Sequence, residues 1–186
     1  MTTVTVTNRI DRGAVFGPGG PEASEFRYLL WRSDTPEPLF GGAPAVNRRR
    51  LGFVLLNSST ADHERDDPTI RRCVGFGKAL GFNVVEIGNL FALRSTDPRG
   101  LAAVADPIGP ANDEHLLALA SRAEMVICAW GSHGRFLGRG DAVLRLLRGA
   151  GVKPHALQLT KGGAPGHPLY LRGDAKPFPL EEARRG

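Results

Sequence analysis

The segment that most constrains the fold is Leu51–Leu56, LGFVLL, an apolar run that stops abruptly at Asn57. A strand with one wet face alternates apolar and polar residues, whereas an unbroken apolar strand needs cover on both faces. Three comparable runs follow, Val84–Ile87, Met125–Ala129 and Val152–Leu159, separated by stretches of helical periodicity. Strand alternating with helix predicts a three-layer α/β/α domain around a small, mostly parallel central sheet. At 186 residues and 41% hydrophobic content, the chain suits one such domain rather than two.

The expected layout places a strand fragment, Thr3–Thr7, and a flexible Gly-Pro-Gly-Gly loop within residues 1–25. The domain proper runs over 26–180, opening on a strand at Phe26–Trp31, and 181–186 form a tail. Asp67 is positioned to cap a helix with Pro68 at its first position, an apolar face of Ile70, Cys73, Val74 and Leu80, and Gly81 as its stop. Asn112 is expected to cap a second helix, and Gly140–Leu147 carries a third.

In a parallel sheet the segments after the four core strands emerge at one edge, where open α/β sheets hold ligands. Those segments are Asn57–Asp67, Asn89–Thr96, Trp130–Arg135 and Lys161–His167. They bring two amides (Asn57, Asn89), an imidazole (His167), two aromatics (Phe91, Trp130) and the carboxylates Asp62, Glu64, Asp66 and Asp67 toward one cleft. Amides beside aromatics suit a flat heterocycle, through edge hydrogen bonds and face stacking. Arg94 and Arg135, with Arg71 and Arg72 in the first turn of the predicted helix, would hold phosphates. Each residue also has a plainer role. Asn57 would cap a turn, His167 would belong to a turn beside Pro168, Trp130 would be core, and Asp66-Asp67-Pro68-Thr69 would simply start a helix.

A net charge of +5, dominated by arginine, favours an anionic partner, nucleic acid first, and its plainer reading, of equal weight, is a solvated arginine-rich surface. Cys73 and Cys128 fall in a predicted helix and strand and read as core residues rather than a disulfide or metal cluster. His115, His133 and His155 lack metal-ligand spacing. No signal peptide or bilayer-spanning run is recognised, so the expectation is a cytoplasmic protein without a membrane partner, monomeric by default.

Two resemblances build on these motifs. FVLLNSS, VVEIGNLFALRSTDP, MVICAWGSHGRFLG and GHPLYLR resemble, in order, the motif segments of the uracil-DNA glycosylase superfamily. The blocks at Asn57–Asp62, Asp67-Pro68-Thr69, Asn89–Ala92, Ala129–Gly131 and His167–Tyr170 resemble a bacterial and phage family called domain of unknown function 1643, over roughly residues 26–180. The glycosylase resemblance implies a DNA base-excision enzyme that hydrolyses the N-glycosidic bond of uracil or another damaged or modified base, with no metal or organic cofactor. Asn57, aided by Asp62, would place water, His167 would face the departing base, and Asn89 would bind the base beside Phe91 or Trp130. Departures stand beside the likeness. Ser58 occupies a position where both families usually show proline, no aspartate adjoins Asn57, the cluster-binding cysteines are absent, and no long insertion loop follows His167-Pro168. Without that aspartate, the resemblance implies a slow enzyme or one that recruits another carboxylate, such as Asp62. The alternatives are a nucleotide- or modified-base-processing enzyme with the same pocket, and a non-catalytic nucleic-acid-binding module.

Overall fold

The computed structural model describes residues 3–7, 12–34, 47–58, 65–95 and 98–180. Asp62, His63, Glu64 and the tail at 181–186 lie outside the described residues.

Four parallel strands form the centre: β4 (Arg50–Ser58), β5 (Val84–Arg94), β6 (Met125–Cys128) and β7 (Pro154–Ala156). Helix α2 (Pro68–Ala79) covers one face, packing Ile70, Cys73 and Phe76 against Phe53, Leu55, Ile87 and Ile127. On the other face, α3 (Asn112–Arg122) and α4 (Arg139–Gly149) pack Leu116, Leu119, Val143 and Leu147 against Val54, Leu56, Val126 and Cys128. Phe53 and Leu55 thus point one way and Val54 and Leu56 the other, which is why the run at 51–56 shows no alternation. Gly52 and Gly88 let α3 approach closely, because a Cβ there would meet Leu119 Cδ2 at 2.5 Å or Leu116 Cδ2 at 2.6 Å.

The sheet is larger and more mixed than expected. Strands β1 (Thr3–Thr7), β2 (Arg12–Phe16), β3 (Arg27–Ser33) and β8 (Phe178–Pro179) bring it, among the described residues, to eight strands in the order β1-β2-β3-β5-β4-β6-β7-β8. Four of the seven pairings are antiparallel: β1–β2, β2–β3, β3–β5 and β7–β8. The links from β1 to β2 and from β2 to β3, the latter carrying the short helix α1 (Gly20–Ala23), permit antiparallel neighbours, whereas a parallel crossover needs a dozen residues or more. β2 was not foreseen, because RGAVF is short and opens on Arg-Gly, yet it contributes Ala14 and Phe16 to the core.

Three further expectations change. β5 runs 11 residues to Arg94 and carries Asn89 inside the strand, with Leu55 as its neighbour on β4. The apolar run at 152–159 contributes a strand only at Pro154–Ala156. Asn112 does not cap α3. Ala111 holds that position, and the buried Asn112 side chain donates through Nδ2 to the backbone oxygens of Asn89 and Leu90, both at 3.0 Å. Where β5 continues beyond its pairing with β3, carbonyls released from the ladder need such donors.

Asp67 caps α2 as expected, accepting Ile70 N–H at 2.8 Å, and Cys73 and Cys128 are both buried and free. No helix among the described residues is long and apolar enough to cross a membrane. The connection after β4 passes through α2 on one face, and that after β5 passes through α3 on the other. The order of parallel strands therefore reverses between β4 and β6, and a crevice opens there at the strands' carboxyl ends.

Candidate functional site

A cavity of about 490 Å³ occupies that crevice. Its wall includes Asn57 from the end of β4, Asn89 from β5, Trp130 just beyond β6, and His167 from the segment after β7. Asp67 and Thr69, at the start of α2, close one side. The structure thus brings together two amides, an aromatic and an imidazole proposed from sequence as one constellation. Phe91 is corrected: it is fully buried, does not line the cavity, and packs against Phe136 with ring centroids 5.6 Å apart. Once β5 extends past residue 89, Phe91 is a strand residue within the core rather than a loop residue at the edge.

The two amides are held in defined orientations. Asn57 Nδ2 donates to Ser95 O at 2.7 Å and to Ser58 O at 3.2 Å, so the group left to the cavity is its acceptor oxygen. Asn89 is buried, and its Nδ2 donates to Ser58 Oγ at 3.0 Å. Ser58, itself buried, donates its hydroxyl to Arg27 O at 2.8 Å. Its departure from proline therefore supplies a polar link between β3, β4 and β5.

Trp130 is a rigid wall. A Cβ at Gly134 would lie 2.0 Å from its Cδ1, so only glycine lets the segment 132–138 close over the indole. The same indole borders a second cavity of about 450 Å³, lined also by Arg135, Asp141 and Gly162.

His167 is presented by a folded-back segment in which Leu159 bridges Pro165 and Gly166 N donates to Gln158 O at 2.7 Å. Burial pushes its imidazole below the ordinary range, and the nearby Asp67 carboxylate opposes this in part. Nδ1 accepts Leu169 N–H at 3.4 Å, so the neutral ring carries its proton on Nε2 and is a donor there.

The arginines divide. Arg72 donates to the backbone oxygens of Pro168 and Leu171 and stacks 4.9 Å over Phe76, clamping the turn that carries His167 onto α2. Arg94 donates to Pro21 O at 2.6 Å and Ser24 O at 3.3 Å and lies over Phe16, remote in role from any phosphate. Arg135 is exposed and donates to Gly162 O. Arg71 is exposed and donates to Asp66 O at 2.7 Å. Asp66 pairs with Arg32 at 2.6 Å and with Arg12 at 3.6 Å, which anchors the start of α2 to β3. Among the described residues no group of three or more His, Cys, Asp or Glu side chains is placed to hold a metal ion.

Residues 27–169 match the family model described as a protein of unknown function, DUF1643. The chain belongs to that family. No curated protein and no solved structure matches it. The matched span of this DUF1643 chain begins at Arg27 on β3 and ends at Leu169, beside His167, so the cavity falls almost wholly within it.

Sequence reasoning missed several lining residues. Arg27 is 1% exposed yet borders the cavity, and its signal was an arginine opening an otherwise apolar strand. Tyr170, 84% exposed, borders the cavity with Leu159, and its ring centroid lies 5.7 Å from that of His167. Asp67, expected both among the carboxylates of the cleft and as a helix start, serves as helix cap and as cavity wall.

Proposed function

We propose that the cavity receives a nucleobase turned out of DNA and that the protein hydrolyses its N-glycosidic bond, the base being uracil or another damaged or modified one. The observation that carries this reading is the convergence of Asn57, Asn89, Trp130 and His167 on one cavity at the strand-order switch. The resemblance to uracil-DNA glycosylases in the same four segments supports it, and a glycosylase-like arrangement of the α/β layers is part of the proposal.

In this mechanism Asn89 hydrogen-bonds the base edge and Trp130 walls its face. The acceptor oxygen of Asn57 holds a water against C1′ of an oxocarbenium-like sugar. The water oxygen bonds to C1′ as the C1′–N bond breaks, and the bonding pair leaves with the base. A carboxylate takes the water's proton, either Asp62, five residues beyond Asn57 in the sequence, or Asp67. His167 donates from neutral Nε2 to the charge growing on the base, an interaction stronger in the transition state than in the ground state.

A second reading is an enzyme acting on a free nucleotide or modified base. It is favoured by the commitment of Arg72 and Arg94 to backbone carbonyls, which leaves fewer cations for a DNA track. The deciding experiment is single-turnover base release from oligonucleotides each carrying one lesion, followed by alkali, beside a salt titration of DNA affinity. Release that is lost in Asn57→Ala supports the glycosylase. Salt-sensitive binding without release indicates a non-catalytic module, and absence of DNA binding at low salt promotes the nucleotide enzyme.

A further inference from the structure

Asn89 ordinarily has a choice. A carboxamide turns over at little cost and can offer either its oxygen or its N–H groups to a ligand. Here the choice is made one residue beyond Asn57. Ser58 Oγ lies 2.8 Å from Arg27 O, a backbone oxygen that can only accept, so the hydroxyl proton must lie between them. With its proton committed, Ser58 Oγ has only lone pairs to give Asn89, 3.0 Å away. An Asn89 turned over would set its oxygen against those lone pairs inside the buried core. The amide nitrogen therefore faces Ser58, and Asn89 shows the cavity an acceptor.

We infer that Ser58 determines specificity by locking Asn89 as an acceptor, and that the cavity selects heterocycles bearing an exocyclic amino group over their oxo counterparts. The inference rests on reading the cavity as a base site and narrows it to amino-bearing members of that class, away from uracil. A projecting amino group can meet a lone acceptor oxygen directly. The imide N–H of an oxo base is recessed between carbonyl oxygens. A carboxamide reads that edge best when it can turn its nitrogen toward one of those oxygens, and in this protein the nitrogen is fixed toward Ser58, which takes one of its two N–H groups. An oxo group brought against the Asn89 oxygen is repelled by it rather than hydrogen-bonded, a mismatch worth about tenfold or more in affinity.

The test uses nucleosides rather than DNA, so its outcome is separate from that of the base-release assay. Titration calorimetry, or quenching of tryptophan fluorescence, compares cytidine with uridine and adenosine with inosine on the full chain. Wild type is expected to bind the amino member of each pair about tenfold tighter or more. Ser58→Ala frees Asn89 to turn over, so the oxo member should gain affinity and the preference should shrink. Damage to the fold would weaken both members instead. Asn89→Leu, checked for an unchanged melting curve, removes the amide and should abolish the preference even where Ser58→Ala does not fold. Equal binding within each pair by wild type, a preference for the oxo member, or no binding of either member overturns the inference. Amino preference without base release from any oligonucleotide would sustain it while removing the glycosylase reading.

Discussion

Two buried polar groups sit three residues apart on β5 and are satisfied in different ways. Glu86 receives Arg50 Nη1 at 2.7 Å on one oxygen and Arg122 Nη2 at 2.9 Å on the other, so both oxygens are engaged within the protein. Asn89 has its nitrogen committed to Ser58 while the residue lines the cavity. Asn57, on the neighbouring strand, repeats the second pattern through Ser95 and Ser58 carbonyls. A closed cluster stabilises what surrounds it and has no capacity left for a ligand. A cluster fixed at one atom and open at the other combines orientation with availability, as preorganised sites require.

The largest expected difference between the two clusters is in rate. Asn57→Ala should slow single-turnover base release by about a hundredfold or more, because an oriented acceptor for water matters chiefly as the transition state forms. DNA affinity, measured by a separate titration, should change little. A variant that retains the wild-type rate would erase the functional half of the contrast.

Glu86→Ala should do the reverse. Removing the carboxylate takes an acceptor from two arginines, and breaking such a buried arrangement costs roughly 3 kcal/mol, moderated here because Arg122 is partly exposed. Urea unfolding should show the loss, while the relative binding of amino and oxo nucleosides by the folded fraction stays as in wild type. A changed preference would mean that the two ends of β5 are coupled.

The strands that carry these groups and the edge at which the amides gather were legible in sequence, whereas the hydrogen bonds that separate Glu86 from Asn89 were not. Apolar runs ending at Leu56, Ile87 and Ala129 marked buried strands because burial on both faces removes alternation, the run at 152–159 yielded a strand only at Pro154–Ala156, and the common edge followed from parallel connections. β2 escaped notice because five residues beginning Arg-Gly carry little pattern of their own and owe their place to pairing with β1 and β3. Phe91 was misplaced because apolar periodicity cannot tell where a strand ends when the residues beyond it are apolar too. The arginines were the least legible. Whether a guanidinium meets phosphate or a carbonyl 99 residues away, as Arg72 does at Leu171, depends on tertiary contacts that no local pattern encodes.

Arg72→Ala sharpens the comparison from the side of support. Its guanidinium holds the carbonyls of Pro168 and Leu171, in the turn whose capping residue His167 lines the cavity. Loss of these charge-assisted bonds should cost about 1.5–3 kcal/mol in urea unfolding and lower the rate of base release as His167 loosens. Arg94→Ala, whose bonds go to Pro21 and Ser24, should cost stability and leave the rate of the folded protein unchanged. Equal rate losses would show that the Arg72 effect is general softening rather than positioning.

The smallest expected effect is on the pH dependence of stability, and it tests whether His167 is held neutral. Burial lowers the pKa of His167 below its ordinary 6.5, with Asp67 opposing, and burial likewise lowers that of His115, which stacks on Tyr28 at 4.6 Å. As pH falls through 6.5 the unfolded chain takes up protons on these rings before the folded chain does. The unfolded state then binds more protons, so stability declines with falling pH, and the decline ends below the folded pKa values. Urea midpoints at pH 7.5 and 5.5 should therefore differ, with the lower midpoint at 5.5. His167→Asn should shrink the difference without removing it, since His115 still contributes. The same protonation puts a hydrogen on Nδ1 and deprives Leu169 N–H of its acceptor, so base release should also weaken in acid. An unchanged pH dependence in His167→Asn would mean that the ring stays solvated in the folded protein, and the neutral donor assigned to it would have to be sought elsewhere in the cavity.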